Sequence, residues 1–449
     1  MPQATYHFPR GFLWGTATAA HQVEGNNTNN QWWQWEQEGH TNGRSGLACD
    51  WWSGHWREDF DRAAETGQNA HRFSVEWSRI QPAPDRWDED ALEHYRAMLR
   101  GLRERGMSAL VTLHHFTDPL WLMDPSAGSG QDLHGWETED VVPLFEKFVR
   151  KTVGALKEYV NLWVTINEPN VYALSGYANG AFPPGLNDIK FAVRVEANML
   201  RAHAAAYRTI HEVQPEARVG YALHYRPMVA KHAWSPLDIL MRNIRYEGIN
   251  MAFPSAISTG VMKTPVGKIM VPEAKGTQDY LGLNYYSVDT ISFKLRNHRE
   301  LFTHSDYPED SDFSDNRFLA NIPEGLFDTL KWAVRAFPNV PIIITENGVE
   351  DADDHMRPRY LARHIHQIWR AVNFNWPVRG YFHWSLVDNF EWDRGWSQRF
   401  GLWGLEVETQ KRIRRPSVDL YAGICKENGL SSEMVQKYCP EVFGKIFPE

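Results

Sequence analysis

Two glutamates stand in short polar strings that close apolar runs: Glu168 in Thr165-Ile166-Asn167-Glu168-Pro169 and Glu346 in Ile344-Thr345-Glu346-Asn347-Gly348. Two carboxyls that meet across a substrate can divide a displacement between them. One gives and later takes a proton while the other attacks or stabilises a cationic centre, and cleavage of a glycosidic bond uses such a pair directly. Taken singly, each string is an ordinary turn former, so the argument rests on both occupying equivalent places in the fold. Carboxyls ~5 to 5.5 Å apart would retain configuration at the reacting carbon, whereas ~6.5 to 9.5 Å would invert it.

Further polar and aromatic residues gather at the ends of apolar runs: Gln22, His115, Asn167, Tyr286 and the pair Glu391-Trp392. Arg72 begins one run and Tyr286 ends another, so a cation and a hydroxyl could hold a carboxylate ionised. The competing reading of Arg72 is a structural ion pair with Glu76 or another acid. Of the 20 tryptophans, Trp384, Trp392, Trp396 and Trp403 fall near the expected mouth. Only Trp384 and Trp392 are assigned to a sugar face, the others to packing. His114 and His115 are adjacent on a strand, so only one can face the mouth, and His364 and His366 lack the i, i+4 spacing of a helical metal pair. No metal or other cofactor is expected.

Eight apolar segments could carry these groups: Phe12 to Ala20, His71 to Trp77, Ala109 to Phe116, Leu162 to Glu168, Val219 to Tyr225, Tyr280 to Tyr286, Ile342 to Glu346 and Gly380 to Val387. Helical periodicity lies between them, as at Glu89 to Arg105, Val141 to Tyr159, Ile189 to Val213 and Arg357 to Asn375. The alternation predicts an α/β fold, a single (β/α)8 TIM barrel over residues 1–449, with long βα loops forming the active-site walls. An open doubly wound sheet is the runner-up, but Gly11 and Gly15 flank the first run without forming a phosphate-binding turn. The long stretches Ser235 to Gln278 and Ser287 to Asn339 are expected to build the walls of the pocket.

Composition narrows the function. The 449 residues are 43% hydrophobic and 23% charged, with a formal net charge of -9, the profile of a globular chain and not of a polyanion binder. No nucleic-acid partner is expected, and the basic run Lys411 to Arg415 reads as a solvated face. No stretch of 18 successive apolar residues predicts a membrane span, and Met1 to Arg10 lacks an export signal. Cys49, Cys425 and Cys439 read as reduced thiols, which suits a cytoplasmic location. A small molecule is the expected partner, and a homo-oligomer is left open.

Five ordered motifs, Phe12 to Gly25, Thr165 to Pro169, Gly282 to Tyr286, Ile344 to Gly348 and Trp384 to Trp392, carry a resemblance to glycoside hydrolase family 1, the β-glucosidase family of (β/α)8 barrels. It runs from about Phe8 to Tyr421. The resemblance implies a retaining β-glycosidase acting on small β-glucosides, with Glu168 as acid/base and Glu346 as nucleophile. It implies that Asn167 binds the sugar 2-hydroxyl, that Gln22, His115, Glu391 and Trp392 bind the outer hydroxyls, and that Trp384 is the stacking floor. Tyr286 and Arg72 would hold Glu346, Asn284 would support them, and a non-proline cis peptide would follow Trp384.

Phe116 and Leu319 depart from the pattern, each standing where the family commonly has Trp. The alternatives are a 6-phospho-β-glycosidase, disfavoured because Glu391 is present, and a non-catalytic sugar-binding barrel, disfavoured because both catalytic glutamates are intact. Repulsion from an ionised Glu346 is expected to raise the pKa of Glu168.

Overall fold

The apolar runs form eight parallel strands that close on themselves: β1 Leu13–Ala17, β2 Ala70–Ser74, β3 Ser108–His114, β4 Leu162–Asn167, β5 Arg218–His224, β6 Leu281–Asn284, β7 Ile342–Asn347 and β8 Val378–Trp384. Each pairs with its neighbours in sequence, and β8 pairs with β1 to close the barrel. This computed structural model describes residues 4–123, 134–297 and 300–448; the first three residues of the N-terminal reading and the last of the 449 lie outside them.

Strands such as Ile342-Ile343-Ile344 are apolar on successive residues because the barrel interior covers one face and a helix the other. The principal covering helices are α1 Trp56–Glu65, α2 Glu89–Glu104, α3 Val141–Leu156, α4 Ile189–Val213, α5 Ala252–Thr259, α6 Pro323–Ala336, α7 Arg357–Asn373 and α8 Ser417–Glu427.

In α2, the Asp88 side chain accepts from the backbone N–H of Ala91 at 2.9 Å, and Leu92, Tyr95, Met98, Leu99 and Leu102 fall on one buried stripe. Each such side chain removed from water contributes ~1.5 to 3 kcal/mol. The helix thereby packs on β3, the strand that leads into His115. The four helices expected from periodicity are present, with ends shifted by at most three residues.

Where the strands reach the mouth, their register slips. Irregularities fall between Val164 and Asn167 on the β4 and β5 pair, between Leu283 and Asn284 on β6 and β7, and between Ile344 and Asn347 on β7 and β8. A local register change re-aims side chains. These three lie beside Asn167, Asn284 and Glu346. Gly348 follows closely, and a Cβ there would lie 1.9 Å from the carbonyl oxygen of Trp384, so only glycine allows β7 and β8 to approach this tightly.

Two expectations need correction. Residues Ser287 to Asn339 do supply active-cavity wall, through Ser287, Tyr307, Phe318 and Leu319. Ser235 to Gln278 does not: it folds into the helix Pro236–Tyr246, a π-helical turn, α5 and a hairpin that border a different chamber. Nor is Lys411 to Arg415 a solvated face throughout, because Arg412 and Arg415 turn inward to Asp59 and Asp388, both at 2.8 Å. Lys411 and Arg414 remain exposed. Among the described residues, no helix is long and apolar enough to cross a membrane.

Candidate active site

The carboxyl-terminal ends of the strands surround a cavity of about 310 Å³ whose lining includes His115, Asn167, Glu168, Tyr286, Glu346, Trp384, Glu391 and Trp392. Residues separated by almost 300 positions in the chain thus share one compartment, on the face where barrel loops converge. Gln22, Arg72 and Asn284 do not line it themselves; they reach the lining through hydrogen bonds.

Glu346 is gripped from both sides. Arg72, fully buried on β2, donates from Nη1 to Glu346 Oε1 at 2.5 Å and to the Thr345 carbonyl at 3.1 Å, while Tyr286 donates its hydroxyl to Glu346 Oε2 at 2.7 Å. Burial, with the Glu346 charge adding to it, holds the Tyr286 hydroxyl well above its ordinary pKa, so it remains a donor. Arg72 also donates from Nη2 to Asn167 Oδ1 at 2.6 Å and from Nε to Thr112 at 3.2 Å. Of the acids open to Arg72, Glu76 is not the partner, since it accepts from Ser78 and Thr117; the ion pair is made with Glu346.

Glu168 accepts from Asn284 Nδ2 at 2.7 Å, and Asn284 is itself oriented by the Thr345 hydroxyl at 2.6 Å. The second contact is unforeseen: His224, the last residue of β5, places Nδ1 at 3.2 Å from Glu168 Oε1. This contact opposes the rise expected of Glu168. Burial alone would raise Glu168, but the charge and hydrogen bond of His224, with help from Asn284 and Arg72, bring it below the usual carboxylate range. Glu346 is pushed up to about 7, chiefly by burial, with the Glu168 charge adding and Arg72 opposing.

The other expected site groups are similarly organised. Asn167 Nδ2 lies 3.1 Å from His115 Nε2; burial, with Arg72 nearby, holds His115 well below its ordinary pKa, so the neutral ring accepts. His115 stacks 6.0 Å from both Trp384 and Trp392. Its neighbour His114 turns away to Asp118 at 3.0 Å, as strand alternation requires. Gln22 Nε2 donates to the Phe390 carbonyl at 2.7 Å and to Glu391 Oε2 at 3.2 Å. Burial, reinforced by Glu346, pushes Glu391 up to about 8, with Trp384 and Gln22 opposing; near neutral pH its carboxyl is therefore a donor as well as an acceptor.

The peptide from Trp384 to Ser385 is cis. Phe116, Glu168 and Trp392 have left-handed backbones, with φ of 69°, 44° and 50°, a conformation that non-glycine residues adopt at some strain and that clusters at functional sites. Trp396 and Trp403 lie outside the lining; Trp396 donates to the Arg44 carbonyl.

Beyond His224, the cavity wall includes Arg226, Tyr307, Phe318, Arg394 and Phe400, none of them anticipated. His224 carried a signal, since it stands one residue before the end of the fifth apolar run as His115 does in the third. The others sit in irregular loops whose sequence carries no periodic signal. Phe116 and Leu319 both line the cavity. Neither side chain offers a hydrogen-bond donor at its place.

A carboxylate clamped by a guanidinium and a phenol, opposite a second carboxyl and beneath indole rings, on the loop face of a (β/α)8 barrel, defines a glycoside hydrolase. The chain belongs to glycosyl hydrolase family 1: the model of that family matches residues 4–430. It is 31% identical to beta-glucosidase A of Thermotoga maritima over 94% of this chain and 98% of that one, and 30% identical to the beta-galactosidase of Sulfolobus acidocaldarius over 95% and 96%. Among solved structures, the beta-glycosidase from Pyrococcus horikoshii superposes with a TM-score of 0.89 at 34% identity, covering 97% of this chain and 98% of that one.

Proposed function

We propose that this chain is a retaining β-glycosidase that releases terminal β-D-glucosyl residues from small glycosides and cello-oligosaccharides, with room for galactosyl and fucosyl substrates. Glu346 attacks the anomeric carbon as Glu168 protonates the departing oxygen, giving a glycosyl ester; Glu168 then removes a proton from water, which attacks the same carbon and frees Glu346. Two displacements at one carbon return the β configuration. The observation that carries the reading is the clamp of Arg72 and Tyr286 on Glu346 in the cavity that also holds Glu168.

The remaining assignments follow from position. Asn167 takes the 2-hydroxyl, His115, Glu391, Trp392 and Gln22 the outer hydroxyls, and Trp384 the apolar face of the ring. Esterification of Glu346 removes its negative charge, which eases ionisation of Glu168 for the second step. The breadth of glycone rests on Glu391, whose two oxygens can meet either orientation of a 4-hydroxyl. Relatives named as β-glucosidase, β-galactosidase and bifunctional β-D-glucosidase/β-D-fucosidase, each about 30% identical, support that breadth.

We take the chain as one catalytic domain working in the cytoplasm, a location supported by three buried free cysteines. Hydrolysis of a panel of aryl β-glycosides, followed by NMR of the first-formed anomer, tests the proposal. Initial release of the β anomer is expected. Release of the α anomer, or substantial turnover by Glu346→Ala, would falsify it.

A further inference from the structure

Behind the catalytic wall lies a second chamber. The segment that begins at Glu168 runs through a short helix, Pro169–Ala173, and a π-helical turn, Leu174–Ala178. Val171 and Ser175 line the active cavity, while Asn170, Ala173, Leu174 and Ala178 line a separate space of about 410 Å³. Its far side is formed by α4, by the end of the helix Pro236–Tyr246 with the π-helical turn Glu247–Met251, and by the hairpin at Thr264. Single π turns within helices recur at functional sites. Here two of them face one space.

The lining is mostly apolar, including Ala173, Ala192, Ile244 and Ile249, but it carries one conspicuous acid. Glu196 on α4 is only 5% exposed, and its carboxyl has no hydrogen-bond or ionic partner among the described residues. Burial pushes it up to about 8, so it holds a proton near neutrality. Asn170 is 4% exposed, and its Oδ1 is likewise without a partner, although its Nδ2 donates to the carbonyls of His224 at 2.8 Å and Ile249 at 3.0 Å. The same wall therefore links the chamber to the residue that touches the catalytic acid.

We propose that this chamber is a second binding site, distinct from the active cavity, for an uncharged alcohol or phenol with an apolar body. Charge selects that class. Arg245 and Glu300 in the lining lie 3.8 Å apart and balance each other, so a charged ligand would add a charge with no counterpart there. A hydroxyl both donates and accepts, so it can meet a protonated carboxyl and the free oxygen of Asn170 without burying a new charge. The apolar body then covers Ala173, Ala192 and Ile249. The volume falls within the range of small-molecule sites. This inference does not depend on the catalytic reading, because no residue of the chamber takes part in the displacement.

Crystals of the full chain soaked in 2-phenylethanol, with solution titrations by saturation-transfer NMR, test it. Density in the chamber with the hydroxyl against Glu196 is expected. Ala192→Phe should fill the space and abolish that density and the corresponding part of the NMR signal, leaving aryl-glucoside hydrolysis unchanged. Should that variant not fold, Glu196→Leu keeps the walls apolar and should weaken binding about fivefold, the worth of one neutral hydrogen bond. Water alone in the chamber, alcohol only in the active cavity, or undiminished binding by the folded Ala192→Phe or by Glu196→Leu would overturn the proposal.

Discussion

Glu346 and Glu196 are both removed from solvent, one on each side of the wall that starts at Glu168. Glu346 has a guanidinium and a phenol on its two oxygens; Glu196 has neither. Burial raises both, Glu346 to about 7 and Glu196 to about 8. Glu346 also bears the repulsion of Glu168, which Glu196 is spared. Burial by itself makes a neutral acid, and the fixed cation beside Glu346 offsets that burial in part. Barrel strands supply that cation because Arg72 on β2 can cross the interior to Glu346 on β7.

This contrast can be broken at several points. Removing the clamped group should have the largest effect: Glu346→Ala is expected to lower kcat by a factor on the order of 10⁴ or more, measured with aryl glucosides. Removing the clamp comes next. Arg72→Met should lower kcat by ~10² to 10³-fold at neutral pH. Because Arg72 opposes the upward shift of Glu346, its loss should also move the acid limb of the kcat/KM profile to higher pH. An unmoved limb would show that Arg72 only orients its neighbours.

A smaller change is expected on the other carboxyl. His224 holds Glu168 low, so His224→Asn should raise Glu168 and carry the alkaline limb to higher pH, with kcat changed by less than ~10-fold. A shift to lower pH would contradict the role given to His224.

Glu196 offers the mildest test. Its folded pKa of about 8 exceeds the ordinary value, so the native chain keeps a proton that the unfolded chain releases. The stabilisation is complete below the unfolded pKa and is lost as pH rises towards and through 8. Glu196→Gln should abolish this loss. The difference in unfolding free energy between variant and parent should therefore favour the variant by ~3 to 5 kcal/mol more at pH 9 than at pH 4, read from denaturant midpoints. Equal pH dependence would mean that Glu196 is not the isolated acid described.

The barrel and the glutamate pair were legible because they depend on simple repeats. Apolar runs separated by helix-length segments leave few topologies, and groups at the ends of parallel strands must share a face. His115 could be chosen over His114 by alternation alone. What escaped depended on contacts between loops or between non-neighbouring strands. Arg226, Tyr307 and Phe400 lie in irregular segments, and the inward turn of Arg412 and Arg415 follows from Asp59 and Asp388, acids far away in the chain. Glu168 sits lower than repulsion from Glu346 alone would place it, because the charge and hydrogen bond of His224 lie alongside. Ser235 to Gln278 was placed over the wrong chamber because length indicates an elaborated loop without indicating its direction.

The left-handed residues at the mouth have a broader consequence. Each is the second of two neighbours that both border the sugar cavity: His115 with Phe116, Asn167 with Glu168, and Glu391 with Trp392. An extended chain sends neighbours to opposite sides, so one such end would ordinarily deliver a single group. The unusual bend delivers two. Three strand or loop ends thereby present six side chains to one cavity, a density that straight strands would need a wider barrel to match.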